Sequence, residues 1–241
     1  MTHLAVLPLL LAALSSADAV LVLLNTRNAT SARTFAEAEA VVARDAAAGK
    51  PLQQFVAGVT SPDRAKAARY LDAARPHIRE MAEKSGNAMA WYLLSLEKND
   101  FSCLRKAADG GNVQALNALG SIAVSQALAR DGMATNSLES ILRDAFGCFR
   151  RAAAQQDPNG FINLGACYLR GLGCDQDLQL AFLCFKAAAE AGHPEGMDNL
   201  SGCYQFGHGV PKNLTLSRYW ALRGRALRGD EEAEKKLKEL R

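Results

Sequence analysis

Charge of a single sign is scarce in this chain. Of its 241 residues, 28 are Lys or Arg and 25 are Asp or Glu, which leaves a net charge of +3. That balance offers nucleic acid no electrostatic footprint, and no nucleic-acid partner is expected. Histidine is sparse as well: His3, His77, His193 and His208 are the four present. Neither an H-x-x-x-H nor a C-x-x-C spacing occurs, so neither a metal site nor a cofactor is expected. Nucleophilic catalysis needs a base held beside a thiolate, and the sequence alone places no such pair. What the chain does have is apolar. A 49% hydrophobic content is that of a folded protein and argues against wholesale disorder.

The apolar residues return in phase. At a shift of 36 residues Leu164 meets Leu200, Cys167 meets Cys203, Tyr168 meets Tyr204, Gly171 meets Gly207 and Gly173 meets Gly209. At the same shift backward, Ala181, Phe182, Cys184, Phe185 and Ala188 fall on Ala145, Phe146, Cys148, Phe149 and Ala152. A period between about 20 and 50 residues signals stacked supersecondary units. Here each unit reads as a helix, a glycine-bearing turn and a second helix, so the expected fold is an all-α solenoid of helical hairpins. Such an array grows by adding repeats, and its function is sought on a surface.

Four units are delimited by closing positions near Gly111, Gln156, Gly192 and Gly229, the first opening at Gly86. The first is shortened, with Trp91, Tyr92 and Leu94 on one helix and Phe101 to Ala108 on the other. The second is lengthened: Leu119 and Gly120 match Leu164 and Gly165 at a distance of 45, nine residues more than the period. The excess lies near residues 127–140 and suits a longer helix end and a loop. Residues 230–241 read as a charged C-terminal capping helix.

Upstream, residues 20–85 read as a helical cap. Thr34-Phe35-Ala36-Glu37 forms a capping box opening a helix that ends near Gly49, with Lys50-Pro51 beyond it. Ser61-Pro62 is read as the start of another, and Pro76 should break or kink it. Residues 1–19 have the look of a secretory signal peptide, with an apolar segment from Leu4 to Leu14 and a small-x-small site at Ala17-Asp18-Ala19. Met1-Thr2-His3 lacks the usual basic residue, however, and Val20 to Leu24 extends the apolar run. A membrane tether through residues 4–24 is the competing reading, with Asp18 costing roughly 2.5–3.5 kcal/mol if central. A buried first helix of a cytoplasmic protein is the third. Export is the expectation carried forward.

Together these residues resemble the Sel-one-like repeat family, helical hairpins related to the tetratricopeptide repeat. Leu164, Gly165, Tyr168, Gly171, Gly173, Asp177, Ala181, Phe185, Ala188, Ala189 and Gly192 fall on its pattern. Leu200, Tyr204, Gly207, Gly209, Val210, Asn213, Trp220 and Gly229 follow in the next unit. The resemblance spans about Gly86 to Gly229. It implies a non-catalytic scaffold that offers a concave surface, lined by first helices, to a protein or peptide. On that surface the resemblance places Asn163, Arg170, Asn199, Gln205 and Phe206. Asparagine amides there would bond a peptide backbone as donor and acceptor together, or else brace the hairpin. Some cysteine-rich relatives are linked to β-lactam binding or hydrolysis, which makes an exported small hydrolase the alternative.

The six cysteines leave two readings open. Cys103, Cys148 and Cys184 share one repeat position, and equivalent positions lie on the order of 10 Å apart, beyond the ~7 Å that a disulfide spans. Cys148–Cys167 and Cys184–Cys203 share a spacing of 19, so both bridges form or neither does. The other reading makes all six core thiols. Arg218, Arg223, Arg225 and Arg228 form a basic run with no acid between them, either a solvated face or a site for an acidic partner.

Overall fold

The structure, a computed structural model, describes residues 42–60, 63–98, 100–129 and 135–239. Residues 1–19, the stretch 4–24 and the Thr34–Glu37 box lie outside the described residues. Within these the secondary structure is helical with no strand, and the chain divides into two compact units at Gly110 and Gly111.

In the first unit a helical segment over 42–47 precedes α1 (Pro51–Thr60), α2 (Arg64–Ser85), α3 (Ala88–Lys98) and α4 (Phe101–Asp109). The sequence reading passes over α1 because it takes Lys50-Pro51 for an exit. Proline is in fact at home at a first helical position, where its missing N–H is not needed. The start of α2 is corrected too. Asp63, not Ser61, is the N-cap, and its carboxylate accepts from the N–H groups of Ala65 at 2.9 Å and Lys66 at 3.1 Å. An ionised acceptor suits the positive end of a helix.

Nor does Pro76 interrupt α2, which runs on from Arg64 to Ser85. Losing one donor and crowding the preceding turn costs about 3 kcal/mol. Against that, Ala74, Ile78 and Ala82 on either side of Pro76 are buried with Val42, Phe55, Val56 and Leu93. Full burial of a side chain such as Ile78 contributes roughly 1.5–3 kcal/mol by itself. Packing therefore keeps α2 helical through Pro76.

The second unit comprises α5 (Val113–Ala129), α6 (Thr135–Ala154), α7 (Pro158–Arg170), α8 (Leu178–Glu190), α9 (Pro194–Phe206), α10 (Leu214–Leu227) and α11 (Glu231–Glu239). α5–α6, α7–α8 and α9–α10 are hairpins, and each second helix also packs on the first helix of the next hairpin. The inserted residues lengthen both helices: α5 has 17 residues and α6 has 20, against 13 for α7 and for α8.

The 36-residue phase is visible atom by atom. The Asp177 N–H donates to the Tyr168 carbonyl at 2.9 Å, and the Asn213 N–H donates to the Tyr204 carbonyl at 2.9 Å. Asp177 and Asn213 then cap α8 and α10 through their side chains. Tyr168 meets Phe146 edge to face at 5.5 Å, and Tyr204 meets Phe182 likewise at 5.7 Å. Both tyrosines therefore face the neighbouring hairpin. First helices press on the alanine face of the preceding second helix. A Cβ on Gly160 would stand 2.5 Å from the Ala153 nitrogen, and one on Gly196 2.7 Å from the Ala188 Cβ. At the C-terminal end α11 buries Ala233 and exposes its charges to solvent.

Candidate functional site

Curvature follows from which helices meet. α7 touches both α5 and α9 directly, while the second helices α6, α8 and α10 approach one another less. The first helices therefore line the inside of the curve in this unit.

On that inner side each first helix presents residues at i, i+3 and i+7, which share a face. α7 presents Asn163, Ala166 and Arg170, and α9 presents Asn199, Gly202 and Phe206; all six are half-buried or exposed. The matching positions on α5 are Ala118, Ser121 and Ser125. Small residues thus occupy the middle of this face. A Cβ added at Gly202 would meet no atom within 4 Å, so the space above it is open.

Asn163 is committed to the fold. Its Nδ2 donates to the Asn117 Oδ1 at 3.2 Å, and the Asn117 Nδ2 donates to the Val113 carbonyl at 3.1 Å and to the Asp157 Oδ2 at 2.8 Å. Asp157 is also the N-cap of α7, accepting from the Gly160 N–H at 2.7 Å. The network joins one first helix to the next, rather than bracing a hairpin turn. Sequence reasoning missed Asn117, and the phase could not have found it, because the 45-residue shift pairs Asn163 with Ala118. The Asn199 side chain makes no hydrogen bond to a described residue. Arg170 and Gln205 are exposed, and Phe206, at 57% exposure, stacks on His208 at 5.6 Å.

The basic run is largely absorbed. Arg225 donates through Nε and Nη2 to the Asp230 Oδ2 at 2.9 and 2.6 Å, and Arg228 pairs with Asp198 of α9. Arg223 lies over the Trp220 ring at 5.2 Å. The neutralising acids come from other elements, which a linear reading of the arginines does not show.

All six cysteines are present as thiols, and neither 19-residue pairing, Cys148–Cys167 nor Cys184–Cys203, is formed. Instead Cys167, Cys174 and Cys184 are packed into one apolar cluster with Phe149 and Leu164. Burial pushes the Cys167 thiol up to about 12, and the Cys184 and Cys203 thiols up to about 11. That is the reverse of the depression an activated nucleophile requires. One S-x-x-K spacing does exist, Ser95-Leu96-Glu97-Lys98, and the sequence reading passed over it. Ser95 is buried, and its Oγ donates to the Tyr92 carbonyl at 2.6 Å, within its own helix. Among the described residues no group of three or more His, Cys, Asp or Glu is placed to hold a metal ion.

An α/α repeat array with its first helices inside the curve is a helical scaffold. The chain carries Sel1 repeats: the Sel1 repeat model matches residues 142–157, 162–193 and 194–227. Among solved structures it is similar to a protective antigen present in uropathogenic Escherichia coli strains that displays an SLR fold. The identity is 24%, the TM-score 0.55, and the match covers 83% of this chain and 45% of that one. This chain thus spans less than half of that protein's length. A Sel1 repeat protein from Oxalobacter formigenes matches at 23% identity and a TM-score of 0.46, over 54% of this chain and 92% of that one. No curated protein matches.

Proposed function

We propose that this protein is a non-catalytic interaction scaffold and that the first-helix face of α5, α7 and α9 receives an extended polypeptide. One observation carries the reading: the open space above Gly202, with the unengaged Asn199 amide one turn before it and exposed Phe206 one turn after it on the same face. An amide suits a peptide backbone, since it donates and accepts at once. An exposed aromatic suits an apolar anchor residue of the partner. Arg170 and Gln205 extend the same face and would read the partner's polar groups. Asn163 holds the neighbouring helices in register and does not itself bind.

Selection of a displayed peptide library against the purified protein tests this. Peptides enriched by the wild type should be lost with Gly202→Leu, which projects a large side chain into the open space above the helix. They should be kept with Leu183→Ala on the second-helix side. No enrichment, or equal retention by both variants, overturns the assignment. We also propose that residues 1–19 direct export, on the strength of the apolar segment and the Ala17-Asp18-Ala19 site. Among the described residues no helix is long and apolar enough to cross a membrane. Sequencing the N-terminus of the mature chain decides the matter, since an intact Met1 excludes cleavage.

A further inference from the structure

Six times in the described residues a helix ends on a left-handed residue and the very next residue opens the following helix. The pairs are Gly49-Lys50, Gly86-Asn87, Gly111-Asn112, Gln156-Asp157, Gly192-His193 and Gly229-Asp230, with φ at the first member of +83, +64, +85, +60, +85 and +90°. At four of the six the second residue caps through its side-chain oxygen. Asn87 accepts from the Ala90 N–H at 2.9 Å, Asn112 from Ala115 at 2.8 Å, Asp157 from Gly160 at 2.7 Å and Asp230 from Ala233 at 3.0 Å. Lys50 has no acceptor, and its ammonium pairs with Asp45 at 2.8 Å. His193 makes no side-chain cap bond either, and both its ring nitrogens are buried without a partner among the described residues.

A neutral imidazole has one donor and one acceptor to satisfy, and this one satisfies neither. The joint between α8 and α9 therefore lacks a bond that four of its counterparts have. It also holds a group whose charge is the worst suited to its place. A proton on His193 would set a positive charge at the positive end of the α9 dipole. The charged groups facing the ring are Glu195 of α9, Asp157 at the preceding boundary and Arg228 at the end of α10. The two carboxylates favour the proton and Arg228 opposes it. Burial opposes it most, and holds His193 below the ordinary histidine range.

We propose that His193 makes the joint between α8 and α9 a proton-sensitive hinge, closed while the ring is neutral and opened when it takes up a proton. The sign follows from linkage. The unfolded or opened state binds the proton more readily than the closed one, so the contribution to stability is full above the ordinary histidine value and is lost as pH falls below it. Opening stays local because a solenoid hairpin contacts only its neighbours. Acid therefore releases α9, α10 and α11 from α8 while α5 to α8 remain packed. Four of the other five boundaries use amides or carboxylates that carry no such burden near neutrality, and Lys50 at the fifth is half-exposed and paired with Asp45.

Hydrogen exchange on the full chain, read by mass spectrometry at about pH 7.5 and about pH 5 and corrected for intrinsic rates, tests the hinge. The wild type should lose protection in α9 and α10 at the lower pH and keep it in α7 and α8. His193→Asn, which restores the boundary's usual cap, should keep protection in all four helices at both pH values. His77→Asn should behave as the wild type. Equal loss in wild type and His193→Asn, or loss spread evenly through α5 to α10, overturns the proposal. An NMR titration of the His193 ring in the wild type is independent of any variant. A midpoint below the ordinary ~6.5 is expected, and a midpoint at or above it overturns the proposal as well.

Discussion

Replacing Gly173 by Ala probes how one hairpin is seated on the previous one. The turn after α7 contains two left-handed glycines, Gly171 at φ +68° and Gly173 at φ +73°. Their surroundings differ. A Cβ on Gly171 would come no nearer than 3.5 Å to another atom, ordinary contact, whereas one on Gly173 would stand 2.1 Å from the Leu142 carbonyl oxygen of α6. Any non-glycine residue in the left-handed region costs about 1–2 kcal/mol. Forcing atoms into a packed backbone adds roughly 1–3 kcal/mol. Gly171→Ala should therefore cost about 1–2 kcal/mol and Gly173→Ala about 2–5 kcal/mol. Gly202→Ala is the control of opposite sign: the site is helical and open, so a gain of up to about 1 kcal/mol is expected. Urea unfolding followed by far-ultraviolet circular dichroism measures all three. Gly173→Ala no more destabilising than Gly171→Ala would refute the argument that the second glycine serves close approach between hairpins.

The other expectations are smaller in scope. Asp157→Ala removes the α7 cap and leaves the Asn117 amide without its carboxylate, which should cost about 1–3 kcal/mol in the same unfolding assay; a change under a few tenths would disprove the network's role. Gln156→Gly relieves the one non-glycine left-handed boundary and should raise stability by about 0.5–1 kcal/mol after the added freedom of the unfolded chain is subtracted. Native alkylation near pH 8 should modify Cys103 and Cys174 well before Cys167 and Cys203, since a thiol raised to about 11 is ionised to only about one part in a thousand there; uniform labelling of all six would contradict the burial. Because those thiols are raised, their contribution to stability is full below the unfolded value and is lost as pH climbs toward 11 and 12.

The sequence by itself determined the unit. Leucine, tyrosine, phenylalanine and alanine return every 36 residues because each hairpin must bury the same apolar face against the next one, and that demand is written one residue at a time. The nine residues added to the second hairpin stand out against that period, and they appear as the longer α5 and α6, whereas the division between compact units falls at Gly110 and Gly111 and not at residue 86. Tertiary packing decided what local signals could not. Pro76 is tolerated because Ala74, Ile78 and Ala82 lock α2 into a core assembled from distant residues. In the basic run near the C-terminus, Arg225 pairs with the nearby Asp230, and Arg228 pairs with Asp198, which only folding brings to it. Asn163 looked like a ligand-facing amide until Asn117, from a helix 46 residues away, took up its hydrogen bond. The exceptional character of His193 shows only when the four bonds that its counterparts make are seen and its own is not. Periodicity records what every repeat shares; the departures from it are settled by which side chains the stack brings together.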